Sequence, residues 1–421
     1  MRRILLLQVW LLAPFILLAQ NECRTAQYQL QVLQNNPLLS IKIAAIERFT
    51  QDFQRAKRYS IDGLNLSAQS PTIITIPVVV HVLYNSKEQN ISDAQIFSQI
   101  DILNADYRRL NADTLNTPSV FQPVAADCGF QFALAKVDTA GYATTGIVRK
   151  HTVVRQFGFD DQIKFSSMGG DDGWDRDRYL NIWVGSLSGG ILGYSSLVGG
   201  PKQNDGIVVL NTAFGTGGIS AAPFNKGRTA THETGHWLNL IHTWGDADCG
   251  NDHVDDTPPQ QTADYGCPSG TILSCGNAPV GNMYSNYMDF TNDACMNLFT
   301  YGQRSRMLAL FQPGGERYAL LSSTALTASA LPAPITPPIE SAQGGMHIYP
   351  NPSSGIVTIQ LNDTISFGAF LEIYNLVGQR VVTTVVNQVQ FQLNISSLSK
   401  GVYYIRVNNG NSKLMNKFLK L

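Results

Sequence analysis

The chain has 421 residues, too many for one small module, and 44% of them are hydrophobic, enough to build a sizeable core. Charged residues reach only 14%, and 30 Lys+Arg against 31 Asp+Glu leave a net charge of −1. This excludes a largely disordered chain, and so even a balance does not suggest a nucleic-acid binder or a polybasic membrane-surface protein.

Met1-Arg2-Arg3 is a basic start, Ile4 to Leu18 is apolar apart from Gln8 and Pro14, and Ala19 ends the run on a small residue. The pattern predicts a signal peptide over 1–19; the run is short for an uncleaved anchor. Cys23 lies too far behind Ala19 for a lipoprotein. No later stretch is apolar enough to span a bilayer, so the mature form is expected to have no stable membrane span, and export permits disulfides.

Residues 20–60 are polar, with a weak helical recurrence of Ile41, Ala44, Ala45, Phe49 and Phe53, and they end near the basic Arg55, Lys57 and Arg58. Ile73 to Tyr84 reads as a buried strand, with Pro77 suggesting an edge or an irregular start. Asn90-Ile91-Ser92-Asp93 caps a predicted helix running to about Asn111. Further strands are predicted near Phe130–Ala135, Tyr179–Val184 and Ile207–Leu210, and a helix from about Arg228. Residues 322–345 are rich in Ala, Ser, Thr and Pro, the composition of a linker. Short alternating strands return over 346–421 and predict a small β-sandwich.

The chemistry concentrates at 232–242, His-Glu-Thr-Gly-His-Trp-Leu-Asn-Leu-Ile-His. His232 and His236, four apart, project from one face of a helix and suit two nitrogen ligands of a tetrahedral Zn²⁺. Glu233 sits beside the first ligand, able to reach a metal-bound water as general base. A third histidine six residues on needs a turn, and Asn239 stands where a left-handed residue is required. His242 then returns as the third ligand. Three protein ligands leave one position for water, as in catalytic and not structural zinc sites.

These residues resemble the metzincin metallopeptidases, specifically the pappalysin family with its ulilysin-like members, over roughly residues 70–315. The resemblance implies an α/β metzincin catalytic domain, a mixed twisted sheet with an active-site helix, over 61–321, with 20–60 as a pro-segment. It makes His232, His236 and His242 the zinc ligands, Glu233 the general base, and Asn286-Tyr287-Met288-Asp289 the methionine turn, with Met288 beneath the metal. Two positions depart from the common pattern: Asn239 replaces the turn glycine, and Phe290 stands where a tyrosine often follows the turn. Cys249, Cys267, Cys275 and Cys295 read as two disulfides in an exported chain, with three possible pairings and a Cys₄ metal site as the other reading. The family favours Cys249–Cys275 and Cys267–Cys295. It also places Asp293 at the base of the pocket for the residue after the scissile bond, implying cleavage before Arg or Lys; Arg55, Lys57 and Arg58 would then be self-processing points. Gly190-Ile191-Leu192-Gly193-Tyr194 would form the edge strand that receives substrate. Five aspartates in 245–257 suit Ca²⁺, with Asp255, Asp256 and Thr257 as candidate ligands. Cys23 is either a thiolate ligand holding the precursor latent, a partner of Cys128, or a free thiol.

Residues 346–421 resemble the type A sorting domain of the type IX secretion system, through Tyr349-Pro350-Asn351-Pro352, Gly355, Tyr374-Asn375, Gly378 and Gly401-Val402-Tyr403-Tyr404. The expected whole is a secreted or surface-exposed zinc endopeptidase made as a zymogen, with zinc and calcium as cofactors, protein or peptide substrates and the type IX machinery as partners. A non-catalytic, zinc-binding surface adhesin is the alternative.

Overall fold

A computed structural model describes residues 22–61, 72–327, 346–361, 369–376, 378–386, 388–408 and 413–421. The expected signal peptide and most of the expected linker lie outside the described residues. The chain divides into two compact units, Met1–Ala333 and Pro334–Leu421. No helix among the described residues is long and apolar enough to cross a membrane.

The first unit is built on a twisted sheet. Its strands are β1 (Glu22–Cys23), β2 (Ile74–Tyr84), β3 (Phe130–Leu134), β4 (Ile147–His151), β5 (Leu180–Gly185), β6 (Ile191–Ser195) and β7 (Ile207–Leu210). The order is β1-β6-β7-β5-β2-β3, with β4 also pairing with β2. All pairs are parallel except β6 against β7. β2 is central, yet Pro77 fits: it faces Ala133 of β3, and the β5 neighbour begins only at Val78. At Pro77 the strand has a partner on one side only, where a missing N–H is tolerated.

Alternation in the strands separates two faces. Val78, Val80, Val82, Ile182, Val184, Ile207 and Val209 join the main core with helices α3 (Asp93–Tyr107) and α4 (Arg228–Trp237). Leu83, Trp183, Tyr194 and Val208 form a second cluster on the opposite face. α3 begins at Ser92, whose hydroxyl accepts from Gln95 N, and stops at Tyr107, short of Asn111. Arg109 takes a positive φ there and Leu110 N returns to Ala105 O, ending the helix in the manner of a left-handed cap.

Residues before the sheet are more ordered than their weak periodicity suggests. They form α1 (Thr25–Asn35) and α2 (Leu39–Ile61), so position 60 lies inside a helix. The stripe of α2 that meets the rest of the unit is the expected one only in part. Ile41 is exposed, as are Ala44 and Ala45, whereas Ile46, Glu47, Phe49, Thr50 and Phe53 are at least half-buried. α2 packs against α5 (Tyr301–Ala309), and the Arg306 guanidinium clamps Glu47 through both terminal nitrogens. The packed unit also runs past Ser322: Ala325 is fully buried against Val79, Ala135 and Tyr179.

The second unit is the expected sandwich. One sheet holds β10 (Met346–Tyr349), β11 (Ile356–Leu361) and β14 (Gln390–Asn394). The other holds β12 (Phe370–Tyr374), β13 (Arg380–Val385), β15 (Gly401–Asn408) and β16 (Lys413–Lys420). Inward residues such as Val357, Ile359, Leu371, Ile373, Ile405 and Val407 form one core. In the first unit, β8 (Tyr265–Gly266) and β9 (Phe290–Thr291) make a short parallel pair beside the cleft.

Candidate metal centre and substrate cleft

α4 carries the first two histidines and the glutamate on one turn. Gly227 opens it with φ 71°, and Asn239 closes the loop behind it with φ 72°. Leu240 N donates to Gly235 O across that turn, and the chain swings back so that His242 meets the other two. Arg306 Nε donates to Asn239 O and fixes the turn from outside.

The three Nε2 atoms lie 3.0–3.2 Å apart. Each Nδ1 is already engaged: His232 with Tyr287 O, His236 with Leu240 O, His242 with the Asp246 carboxylate. Donation from Nδ1 leaves an unprotonated Nε2 on every ring, so three lone pairs converge on one point. Ligands at ~2.0–2.1 Å around a tetrahedral ion stand roughly 3.3 Å apart, close to what is found. The donor set therefore fits zinc. Burial, reinforced by neighbouring imidazoles, pulls His232 down to about 3 and His236 well below the usual value, which keeps those rings neutral.

Two glycines make room for this arrangement. A Cβ on Gly235 would stand 2.5 Å from Met288 Sδ, so the methionine lies directly under α4. A Cβ on Gly193 would stand 2.9 Å from the Glu233 side chain, so β6 admits the carboxylate against its backbone. Glu233 is fully buried, its Oε1 has no hydrogen-bond partner, and burial pushes its carboxyl up to about 8.

Cys23 joins the cluster. Its Sγ lies 3.6 Å from His236 Nε2, and the ligand atoms of Cys23, His232, His236 and His242 all fall within 4.8 Å of one another. β1 runs parallel to β6, Arg24 N donates to Gly193 O, and Thr25 Oγ1 donates to Glu233 Oε2 at 2.7 Å while accepting from Ser195 N. Gly190 precedes β6, and the expected substrate-edge strand is the edge that β1 covers.

A small pocket opens beside His232 and Glu233, lined also by Leu192, Phe224, Met296 and Asp293. The Asp293 carboxylate accepts from Lys226 N and Arg228 N, and burial raises it to about 6. Phe290 packs on the edges of His232 and His242, and Trp244 stacks on His242 at 4.3 Å.

Disulfides join Cys249 to Cys275 and Cys267 to Cys295, so the Cys₄ alternative does not hold. Cys23 and Cys128 are separate buried thiols, which removes their pairing. The calcium expectation is not supported. Asp256 accepts from Thr300 Oγ1 and Gly302 N at the start of α5, Thr257 Oγ1 donates to Asp252, and Asp246 serves His242. Among the described residues the acids of 245–257, Asp255 included, form no group of metal-ligating atoms. Hydrogen bonding to the local backbone and side chains has dispersed them. Sequence reasoning missed Asp246 and Thr25; four-residue spacing from His242 was a signal for the first, and nothing local marked the second.

Residues 165–312 match the family model described as pregnancy-associated plasma protein-A, and 347–420 match a secretion system C-terminal sorting domain. An extracellular metalloprotease of Pyricularia oryzae is 33% identical over 257 residues, covering 58% of this chain and 77% of its own. Extracellular metalloprotease 1 of Coccidioides posadasii is 31% identical, covering 59% and 80%. Among solved structures, mature mirolysin of Tannerella forsythia with a cleaved peptide is 48% identical, covers 60% of this chain and 97% of its own, and has a TM-score of 0.59. A promirolysin of the same organism, carrying a Glu-to-Ala substitution, is 42% identical, covers 71% and 96%, and has a TM-score of 0.63.

Proposed function

The chain belongs to the pregnancy-associated plasma protein-A family of metalloproteases, the pappalysins, and on that premise we propose that His232, His236 and His242 hold a zinc ion for peptide-bond hydrolysis with Glu233 as general base. It is a secreted metalloendopeptidase made as a zymogen, with a sorting tail for export. The observation that carries the proposal is the convergence of three Nε2 lone pairs whose rings are locked by Tyr287 O, Leu240 O and Asp246. Zinc held there supplies Lewis acidity to a water and to the scissile carbonyl.

The chain's own residues do the rest. Glu233 takes a proton at a carboxylate oxygen and delivers it to the departing amine nitrogen. β6 lends its edge to an extended peptide by strand addition. The Asp293 carboxylate, at the wall of the pocket beside His232, pairs with an Arg or Lys following the cut. In the precursor, Cys23 would supply a thiolate ligand beside the three histidines, and the Thr25 hydroxyl occupies the base. β1 lies parallel to β6, and the pro-segment covers residues 20–60 until it is cut, with Arg55 and Lys57 on an exposed part of α2 and the Arg58 side chain outside the described residues. The mature unit then extends to the linker, and the tail engages the type IX machinery.

Casein digestion should stop with a zinc chelator and fall roughly 10²–10⁴-fold in Glu233→Gln. Chelator-insensitive digestion would sink the zinc assignment. Cleavage mapping in a peptide library should show Arg or Lys after the cut and lose that bias in Asp293→Asn; an unbiased wild-type profile removes Asp293 from the specificity role.

A further inference from the structure

The pro-segment holds the catalytic unit on both faces of β6. On the α4 side stand Cys23 and Thr25. On the opposite face Tyr28 of α1 is buried, 3% exposed, and apart from Thr25 it is the one buried side chain of that helix. Its hydroxyl donates to Asp161 Oδ2 at 2.7 Å, and its ring lies 4.9 Å from that of Tyr194.

The pocket that receives it is made wholly by the catalytic unit. Lys164 is fully buried, paired with Asp161 Oδ1 at 2.8 Å, and donates to Asn204 O at 2.9 Å. Asn204 Nδ2 donates to the Asp161 oxygen that Tyr28 also uses. The ammonium stands 4.9 Å from the Tyr194 ring, 5.5 Å from Trp183 and 5.0 Å from Tyr28. A buried ion pair of this kind is held by its own hydrogen bonds, and an incoming aromatic ring adds a face for the cation while excluding water. A phenol satisfies both demands, a ring for Lys164 and an O–H for Asp161. A phenylalanine satisfies one.

We infer that the Asp161–Lys164–Tyr194 pocket is a tyrosine-binding exosite of the catalytic unit, filled in the precursor by Tyr28 and able to rebind the released pro-segment in trans through that side chain. The inference rests on the pro-segment reading above, and its ligand is a tyrosine presented by a chain laid parallel to β6. A buried aromatic anchor, with Val32 of the same helix partly buried against the same cluster, is the pattern of a binding hot spot.

The test uses enzyme processed from the full chain and stripped of metal by chelation, titrated with labelled peptides of residues 22–36 carrying Cys23→Ser. Ligation and catalysis then contribute nothing to the readout, so a failure of the protease reading would leave it unaffected. The Tyr28 peptide should bind in fluorescence anisotropy, the Tyr28→Phe peptide roughly tenfold to a hundredfold more weakly, and Tyr28→Ala more weakly still. Equal binding by all three, or by none, overturns the inference. In the intact precursor, Tyr28→Phe should raise hydrogen exchange in α1 about tenfold or more; unchanged exchange counts equally against it.

Discussion

Two constellations of metal-ligating residue types follow one another in this chain and obey opposite rules. The histidines of 232–242 converge on a single point, while the aspartates of 246–256 disperse to separate tasks. The histidines sit on a helix and one defined turn, so their spacing translates into a fixed geometry. The aspartates sit in a loop, where Asp252 and Asp256 take nearby backbone N–H groups and hydroxyls and Asp246 takes an imidazole. Density of acidic residues therefore does not by itself bring carboxylates together when nothing rigid points them inward.

The comparison breaks first at its strong end. His242→Ala removes one of three converging nitrogens, and bound zinc measured by mass spectrometry should fall to background with hydrolysis down roughly a thousandfold or more. A variant that keeps stoichiometric zinc would show that His242 is incidental. Asp246→Ala tests the join between the two constellations, because this aspartate serves one of the three histidines. Losing the partner of a ligand's far nitrogen costs about 10–100-fold in metal affinity, read as a shift in chelator competition. Unaltered competition would return Asp246 to the loop with its neighbours.

Asp252 sharpens the other end. It is buried, accepting from Thr257 Oγ1 and Val254 N, and burial raises its carboxyl to about 7. The native state thus holds a proton that the unfolded chain releases near pH 4. Between about pH 4 and 7 the native form binds more protons, so this group's contribution falls as pH rises and is greatest at acid pH. Asp252→Asn should flatten that slope and leave the protein more stable than wild type by on the order of 3 kcal/mol at pH 8 in denaturant titrations. A calcium ion at this carboxylate would hold it ionised, and the same substitution would then destabilise.

Much of this was legible beforehand, and unevenly. The active-site helix and its left-handed Asn239 follow from local spacing and backbone preference, and the inward Met288 from the family resemblance. The sandwich follows from short alternating strands. What stayed hidden were long-range pairings of residues that carry no local signal. Thr25 meets Glu233 at a separation of 208 residues, and Tyr28 meets Asp161 at 133. α2 misled in part for a related reason: it buries Glu47 and Thr50 against Arg306 and Asn239, so its inward face is partly polar, and an apolar count finds Phe49 and Phe53 but adds the exposed Ile41, Ala44 and Ala45.

The smallest effect concerns Asp256, a calcium candidate of the sequence reading, which opens α5. Its Oδ2 accepts from Gly302 N, and its Oδ1 accepts from the hydroxyl of Thr300, the N-cap residue of that helix. A carboxylate suits this place because the first N–H groups of a helix lack partners and carry partial positive charge. Gly302 is required there, since a Cβ would stand 2.4 Å from Asp256 Oδ1. Asp256→Ala should therefore cost about 1 kcal/mol, a Tm decrease of about 2–4 °C, with bound zinc unchanged. Adding millimolar Ca²⁺ should move neither protein, because a cation that bound this carboxylate would compete with the Gly302 N–H for the same oxygen. A calcium-dependent rise of several degrees in wild type, lost in Asp256→Ala, would reverse the assignment and restore the loop as an ion site.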